Sequence, residues 1–115
     1  MGFVMKHRAF KYICASVAAV LLPNVAMAEN HLNEAITHTK EAIEHGKSDH
    51  ADILVKHAKE GLLHAEAAEK EKDNPHTKEG IMHLKASVDE GMKKDAKAAT
   101  GHAEEALTHL EAATK

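Results

Sequence analysis

Residues 31–70 and 76–115 align without a gap at an offset of 45, and sixteen of the forty aligned positions are identical. The matches include His31 with His76, Glu34 with Glu79, His38 with His83, Gly46 with Gly91, His57 with His102, Glu60 with Glu105 and His64 with His109. Self-similarity at a fixed offset marks a duplicated supersecondary unit, so any fold must accommodate two copies of one structure.

The unit reads as a helical hairpin. Asn30 is a fitting N-cap, and Leu32, Ala35, Ile36, Thr39, Ala42 and Ile43 follow at helical spacing up to Gly46, placed where a left-handed C-terminal residue belongs. Ser48 or Asp49 caps the second helix, in which Ile53, Leu54, Ala58, Leu62 and Ala65 keep phase until about Lys70. Asn74-Pro75 puts a capping residue before a proline at the first helical position, and Ile81, Leu84 and Val88 lead on to Gly91. After a turn at Met92 to Lys94, Ala96, Ala99, Ala103, Ala106, Leu107 and Leu110 form the fourth helix. The expected architecture is all-α, an up-down-up-down antiparallel four-helix bundle made of two duplicated hairpins, 30–70 and 74–115.

The chain ahead of that bundle reads as a cleavable export signal. Lys6, Arg8 and Lys11 make a basic start, Tyr12 to Val25 is largely apolar, and Ala26-Met27-Ala28 is a small-x-small cleavage sequence, so residues 1–28 are expected to leave as a signal peptide. The apolar stretch is short for a membrane span and Pro23 interrupts it. The expected location is the periplasm, with no membrane contact after cleavage. Removal takes away every aromatic residue, Arg8 and Cys14, leaving 87 residues with no disulfide or thiolate ligand. Twelve Lys against eighteen Asp and Glu then leave a balance of minus six, which argues against nucleic acid as a partner. Fifteen Leu, Ile, Val and Met, with fifteen Ala, make a thin core, and Gly61, Gly80 and Gly101 inside helices each cost about 1 kcal/mol relative to Ala. A loose, marginal bundle is expected, one that bound metal would stabilise.

Histidine carries the rest of the pattern. The phrase His-x-x-Glu-(Ala/Gly)-(Ile/Leu)-x-His occurs at 31–38, 38–45, 57–64, 76–83 and 102–109. With the apolar residues at heptad positions a, d and e, each of these histidines falls at g, half exposed beside the buried stripe. A seven-residue step drifts only ~20° around a helix, so His31, His38 and His45 form one row and His50, His57 and His64 another. Rungs about 10.5 Å apart cannot share an ion, but a Glu three or four residues away has its Cβ about 5 to 6 Å from the His. In an antiparallel hairpin turning between residues 47 and 48, level partners have numbers summing to 95, which pairs His45 with His50, His38 with His57 and His31 with His64. In the second hairpin the sum is 185, pairing His83 with His102, His76 with His109 and Glu90 with Asp95.

Imidazole and carboxylate without thiolate suit borderline divalent ions, Cu(II) first on intrinsic affinity, then Ni(II), Zn(II) and Co(II). The candidate ligands are His31, Glu34, His38, Glu41, His45, His50, His57, Glu60, His64, His76, Glu79, His83, His102, Glu105 and His109. The sharpest sets are His31, Glu34, Glu60 and His64, with their copies His76, Glu79, Glu105 and His109. Met82 and Met92 are too few for a Cu(I) methionine site. No His-Glu-x-x-His, Glu-x-x-His or Cys-x-x-Cys-His occurs, so an enzyme is not expected. The competing reading is a structural or partner-binding amphipathic bundle whose His rows are incidental. Its Glu residues would then be ordinary helix-stabilising partners, as Glu41 is to His45.

At the phrases from His38 to Gly46 and from His57 to Ala65 the chain resembles the bacterial small metal-binding protein family, exported histidine-rich four-helix bundles of seven-residue repeats without cysteine. The resemblance covers the whole segment after residue 28 and implies periplasmic sequestration of several divalent ions, copper prominent among them, by a chain expected to be a monomer. The chain departs from that pattern where Glu90 and Asp95 replace the repeat histidines and where residues 95–101 have lost the motif, which argues against a strong site at the second hairpin's turn and implies fewer or weaker sites overall.

Overall fold

The structure is a computed structural model and describes residues 25–115. Residues 1–24 of the expected leader lie outside the described residues. Four helices follow one another: α1 (Val25–Lys47), α2 (Ala51–Glu71), α3 (Pro75–Met92) and α4 (Ala96–Ala113). Helix α1 packs on α2 and α3 on α4, and the two hairpins join through α2 against α3 and α1 against α4, with only slight contact along the α2–α4 diagonal. This is the four-helix bundle of paired hairpins expected from the duplication. No described helix is long and apolar enough to cross a membrane.

The core is made of small residues around a few large ones. Leu54, Leu84 and Leu110 are fully buried, and Ala35, Ala42, Ala58, Ala65, Ala99, Ala103 and Ala106 fill the space between them. Each buried leucine contributes roughly 1.5–3 kcal/mol. Three of the four buried hydroxyl residues bond to backbone: Thr39 donates to Ala35 O at 2.7 Å, Thr100 to Ala96 O at 2.6 Å, and Ser87 reaches across from α3 to Ala99 O on α4 at 2.7 Å. A buried hydroxyl left without such a partner would be costly, so these bonds let polar residues sit in a thin core.

Several expected boundaries move, each for a packing reason. Asn30 does not cap α1, because the helix continues upstream to Val25 and buries Ala28 in the bundle. Gly46 is not a left-handed terminator but a buried helical residue, and the same holds for Gly91. A Cβ on Gly46 would overlap Thr100 Oγ1 and stand 2.6 Å from Leu54 Cδ1, and one on Gly91 would stand 2.5 Å from Val55 Cγ2. These glycines let the hairpins close on each other. The left-handed residues lie three positions on, at Asp49 (φ 62°) and Lys94 (φ 66°). Gly61 and Gly80 also serve close approach, since a Cβ on Gly80 would lie 2.7 Å from Leu110 Cδ2 and one on Gly61 3.2 Å from Thr39 Oγ1. They tighten the bundle rather than loosen it, and among the described glycines only Gly101 faces open space.

The turns differ in their capping. Neither Ser48 nor Asp49 caps α2; His50 occupies the N-cap and its side chain makes no capping bond. At the duplicate position Asp95 accepts from Ala98 N at 3.0 Å. Asn74 caps α3 as expected, accepting from His76 N at 2.8 Å ahead of Pro75. Between the hairpins Glu69 accepts from Asn74 N at 3.1 Å, and Lys78 pairs with Asp73 at 2.5 Å. Burial pushes the Glu69 carboxyl up, whereas the Lys78 ammonium bonded to Asp73 holds that carboxyl low.

Candidate metal centre

The seven-residue spacing places His31, His38 and His45 along one edge of α1 and His57 and His64 along the facing edge of α2, with His50 at the α2 cap. His76 and His83 on α3 face His102 and His109 on α4. Eight of these ten are half-buried, and His50 and His76 are exposed. All five level pairs form: ring centroids are 5.5 Å apart for His31 and His64, 5.9 Å for His38 and His57, 6.0 Å for His45 and His50, 6.0 Å for His76 and His109, and 5.9 Å for His83 and His102.

The two rows also interleave, which the numbering of level pairs does not show. His64 lies 5.7 Å from His38, His57 lies 5.4 Å from His45, and His109 lies 5.5 Å from His83, with each of these pairs of rings within 8° of parallel. The imidazoles of the first hairpin therefore run continuously in the order His31, His64, His38, His57, His45, His50, and those of the second in the order His76, His109, His83, His102. Because α1–α2 and α3–α4 are the two intra-hairpin seams, the columns lie along opposite sides of the bundle.

Carboxylates close the columns into groups able to hold an ion. In the first hairpin Glu34, His38 and His64 form one group and His38, Glu41 and His57 another; in the second the groups are Glu79, His83 and His109, and His83, His102 and Glu105. Within each, the donor atoms lie within 4.8 Å of one another. Two donors on one tetrahedral ion with bonds near 2.0–2.1 Å stand about 3.3 Å apart. Glu41 Oε2 is 3.1 Å from His57 Nδ1, and Glu105 Oε2 is 3.4 Å from His83 Nε2, so these pairs already have that spacing. His38 Nδ1 and His102 Nδ1 are buried with no hydrogen-bond partner, and His38 Nδ1 stands 4.0 Å from Glu41 Oε1. Buried polar atoms are normally satisfied, so unpartnered ring nitrogens on histidines grouped with a carboxylate fit a divalent cation.

A family model described as small metal-binding protein matches residues 6–113 of the chain. The chain belongs to the small metal-binding protein family. Comparison with curated proteins gives no match. The donor set in the four groups, imidazole nitrogen with carboxylate oxygen, fits the metal binding for which that family is described.

Among the candidate ligands, His38 and His83 stand at the centre, each belonging to two groups. Glu34, Glu41, His57, His64, Glu79, His102, Glu105 and His109 complete the groups. The set of His31, Glu34, Glu60 and His64 does not gather as one: His31 Nδ1 lies 3.2 Å from His64 Nδ1, but His31 and Glu60 enter none of the four groups. In the copy, Glu79 and Glu105 reach His83, and His76 stays outside. Glu41 and Glu105 complete the level pairs His38–His57 and His83–His102, whereas Glu34 and Glu79 complete the interleaved pairs His38–His64 and His83–His109, half a rung away. His45 and His50 sit in the column beyond the last carboxylate of a group. In the second hairpin Ala86 occupies the place of Glu41, and Glu105 from α4 closes the group instead.

Proposed function

We propose that the chain is exported to the periplasm and there binds and sequesters divalent transition metal ions, Cu(II) first and Ni(II), Zn(II) and Co(II) after it, as a non-catalytic monomer. The observation that carries the reading is the four Glu-His-His groups along the two imidazole columns, two of whose buried ring nitrogens have no hydrogen-bond partner. Imidazole binds an ion only when neutral, and carboxylate contributes charge, so each group offers two neutral nitrogens and one anionic oxygen to a dication. Three protein donors leave open coordination positions for water, and the half-burial of the histidines at a helix seam keeps the groups close to solvent. Those features suit uptake and release. The preference for Cu(II) follows the general order of divalent ions at nitrogen and oxygen sites.

Export rests on the basic start at Lys6, Arg8 and Lys11, the apolar run behind it and Ala26-Met27-Ala28. Cleavage after Ala28 would open α1 at Glu29, whose carboxylate sits well at a helix N-terminus. Fractionation of the expressed full-length chain with N-terminal sequencing tests this: a periplasmic product beginning at Glu29 is expected, and retention of residues 1–28 would contradict it. Retention on an immobilised Cu(II) column tests binding. Elution only with strong competitor is expected, and elution with weak competitor would mark the His rows as incidental.

A further inference from the structure

Each hairpin builds two donor groups but supplies only one central imidazole to them. Glu34 with His64 lies to one side of His38 and Glu41 with His57 to the other; Glu79 with His109 and Glu105 with His102 flank His83 in the same way. The His38 ring stacks 5.7 Å from His64 and 5.9 Å from His57, midway between two histidines seven residues apart on α2. The duplication has kept this arrangement where it has not kept the residues. With Ala86 in the place of Glu41, the second carboxylate comes from Glu105 on the opposite helix, so His83 is flanked on both sides all the same.

We propose that the two groups of a hairpin are alternative seats for one ion, which passes between them by pivoting on the shared histidine, His38 in the first hairpin and His83 in the second. This rests on the metal-binding reading above. A neutral imidazole gives one lone pair to one ion, so two ions can hold the same ring only if it loses its remaining N–H proton and bridges them as imidazolate. Successive seats are about half of a 10.5 Å heptad rise apart, and two divalent charges at that separation repel. A single ion meets neither obstacle. It exchanges one carboxylate and one imidazole for the equivalent pair across the ring, while it stays divalent and the shared ring stays neutral. The column then has an internal step by which an ion moves along the seam without leaving the protein.

Calorimetric titration of the full chain with Cu(II) near pH 7.5, with spin counting by electron paramagnetic resonance, tests the pivot. The wild-type chain is expected to take two tight equivalents with full spin intensity, one per hairpin. His38→Gln and His83→Gln should each lose one equivalent. His57→Gln and His64→Gln should each keep both, with affinity at the first hairpin lowered about twofold if the seats are equally strong, whereas the double variant loses one equivalent. Three or four tight equivalents in the wild type, loss of an equivalent in either single variant, or spin intensity quenched by coupled pairs would overturn the proposal. Wild-type protein that takes up no Cu(II) would instead sink the metal-binding reading beneath it. Proton resonances check the wild type without any substitution: with half an equivalent of Cu(II), the rings of His57 and His64 should broaden together, and broadening of only one would contradict the pivot.

Discussion

His50→Asp exchanges a column histidine for a helix cap, and its consequence can be worked from the duplicate turn. His50 (φ −98°, ψ 73°) and Asp95 (φ −93°, ψ 81°) share one backbone conformation, so the exchange requires no rearrangement. Asp95 accepts from Ala98 N at 3.0 Å, whereas the His50 side chain leaves the first turn of α2 uncapped. The corresponding donor in α2 is Ile53 N. An N-cap carboxylate is worth about 1 kcal/mol, within a range of 0.5–2, and its charge at the helix N-terminus adds about 0.3–1 kcal/mol. Repulsion from Asp49 and Asp52 removes a few tenths of a kcal/mol. The net gain of about 1 kcal/mol corresponds to a rise of roughly 4–8 °C in the thermal midpoint of a bundle this size. Far-UV circular dichroism melts of chelator-treated protein read it directly. Because His50 lies in none of the four groups, the variant should also keep both tight Cu(II) equivalents. A midpoint equal to or below that of the wild type would refute the reasoning that His50 is held at a cap position at the expense of stability.

Gly46→Ala should destabilise the bundle by about 1–2 kcal/mol, since its Cβ would press on Thr100 and Leu54 and overpacking exceeds the gain in helix propensity. Gly101→Ala, which meets nothing, should stabilise by about 0.5–1 kcal/mol, and urea unfolding compares the two. Bonding to Lys94 holds the Asp52 carboxyl below its usual range, so its stabilising contribution is present above roughly pH 4 and is lost as pH falls through the lower folded-state value. Asp52→Asn should therefore lower the urea midpoint at pH 7 by more than it does in acid, where the wild-type carboxyl is protonated, and a deficit that does not shrink as pH falls would contradict the assignment. Saturating Cu(II) should raise the thermal midpoint near pH 7.5 and much less at pH 5, where protons compete for imidazole nitrogen.

The fold was legible because the duplication and the apolar spacing carry the same information twice, and the level histidine pairs follow from hairpin symmetry alone. Helix ends were less legible. Gly46 and Gly91 look like terminators from their place after an apolar stripe, but their role depends on Thr100, Leu54 and Val55 of other helices, which local spacing does not contain. Asn30 likewise looks like a cap until Ala28 is seen to be buried. In the candidate site the residue types and rows were readable, whereas the choice of partner was not. Side chains at facing positions interleave as well as meet, so His38 lies between His57 and His64, and which Glu reaches which ring turns on half a rung of axial offset. Ala86 stands where the first hairpin has Glu41, and only the packing of α4 on α3 shows Glu105 closing the same gap.

The most direct test of the central claim is titration of the metal-free chain with Cu(II) at pH 7.5 and again at pH 5. Tight, saturable uptake at the higher pH that weakens strongly at the lower one is the result expected of imidazole and carboxylate ligation along the two columns. Absence of tight uptake at pH 7.5, or affinity unchanged at pH 5, would contradict it.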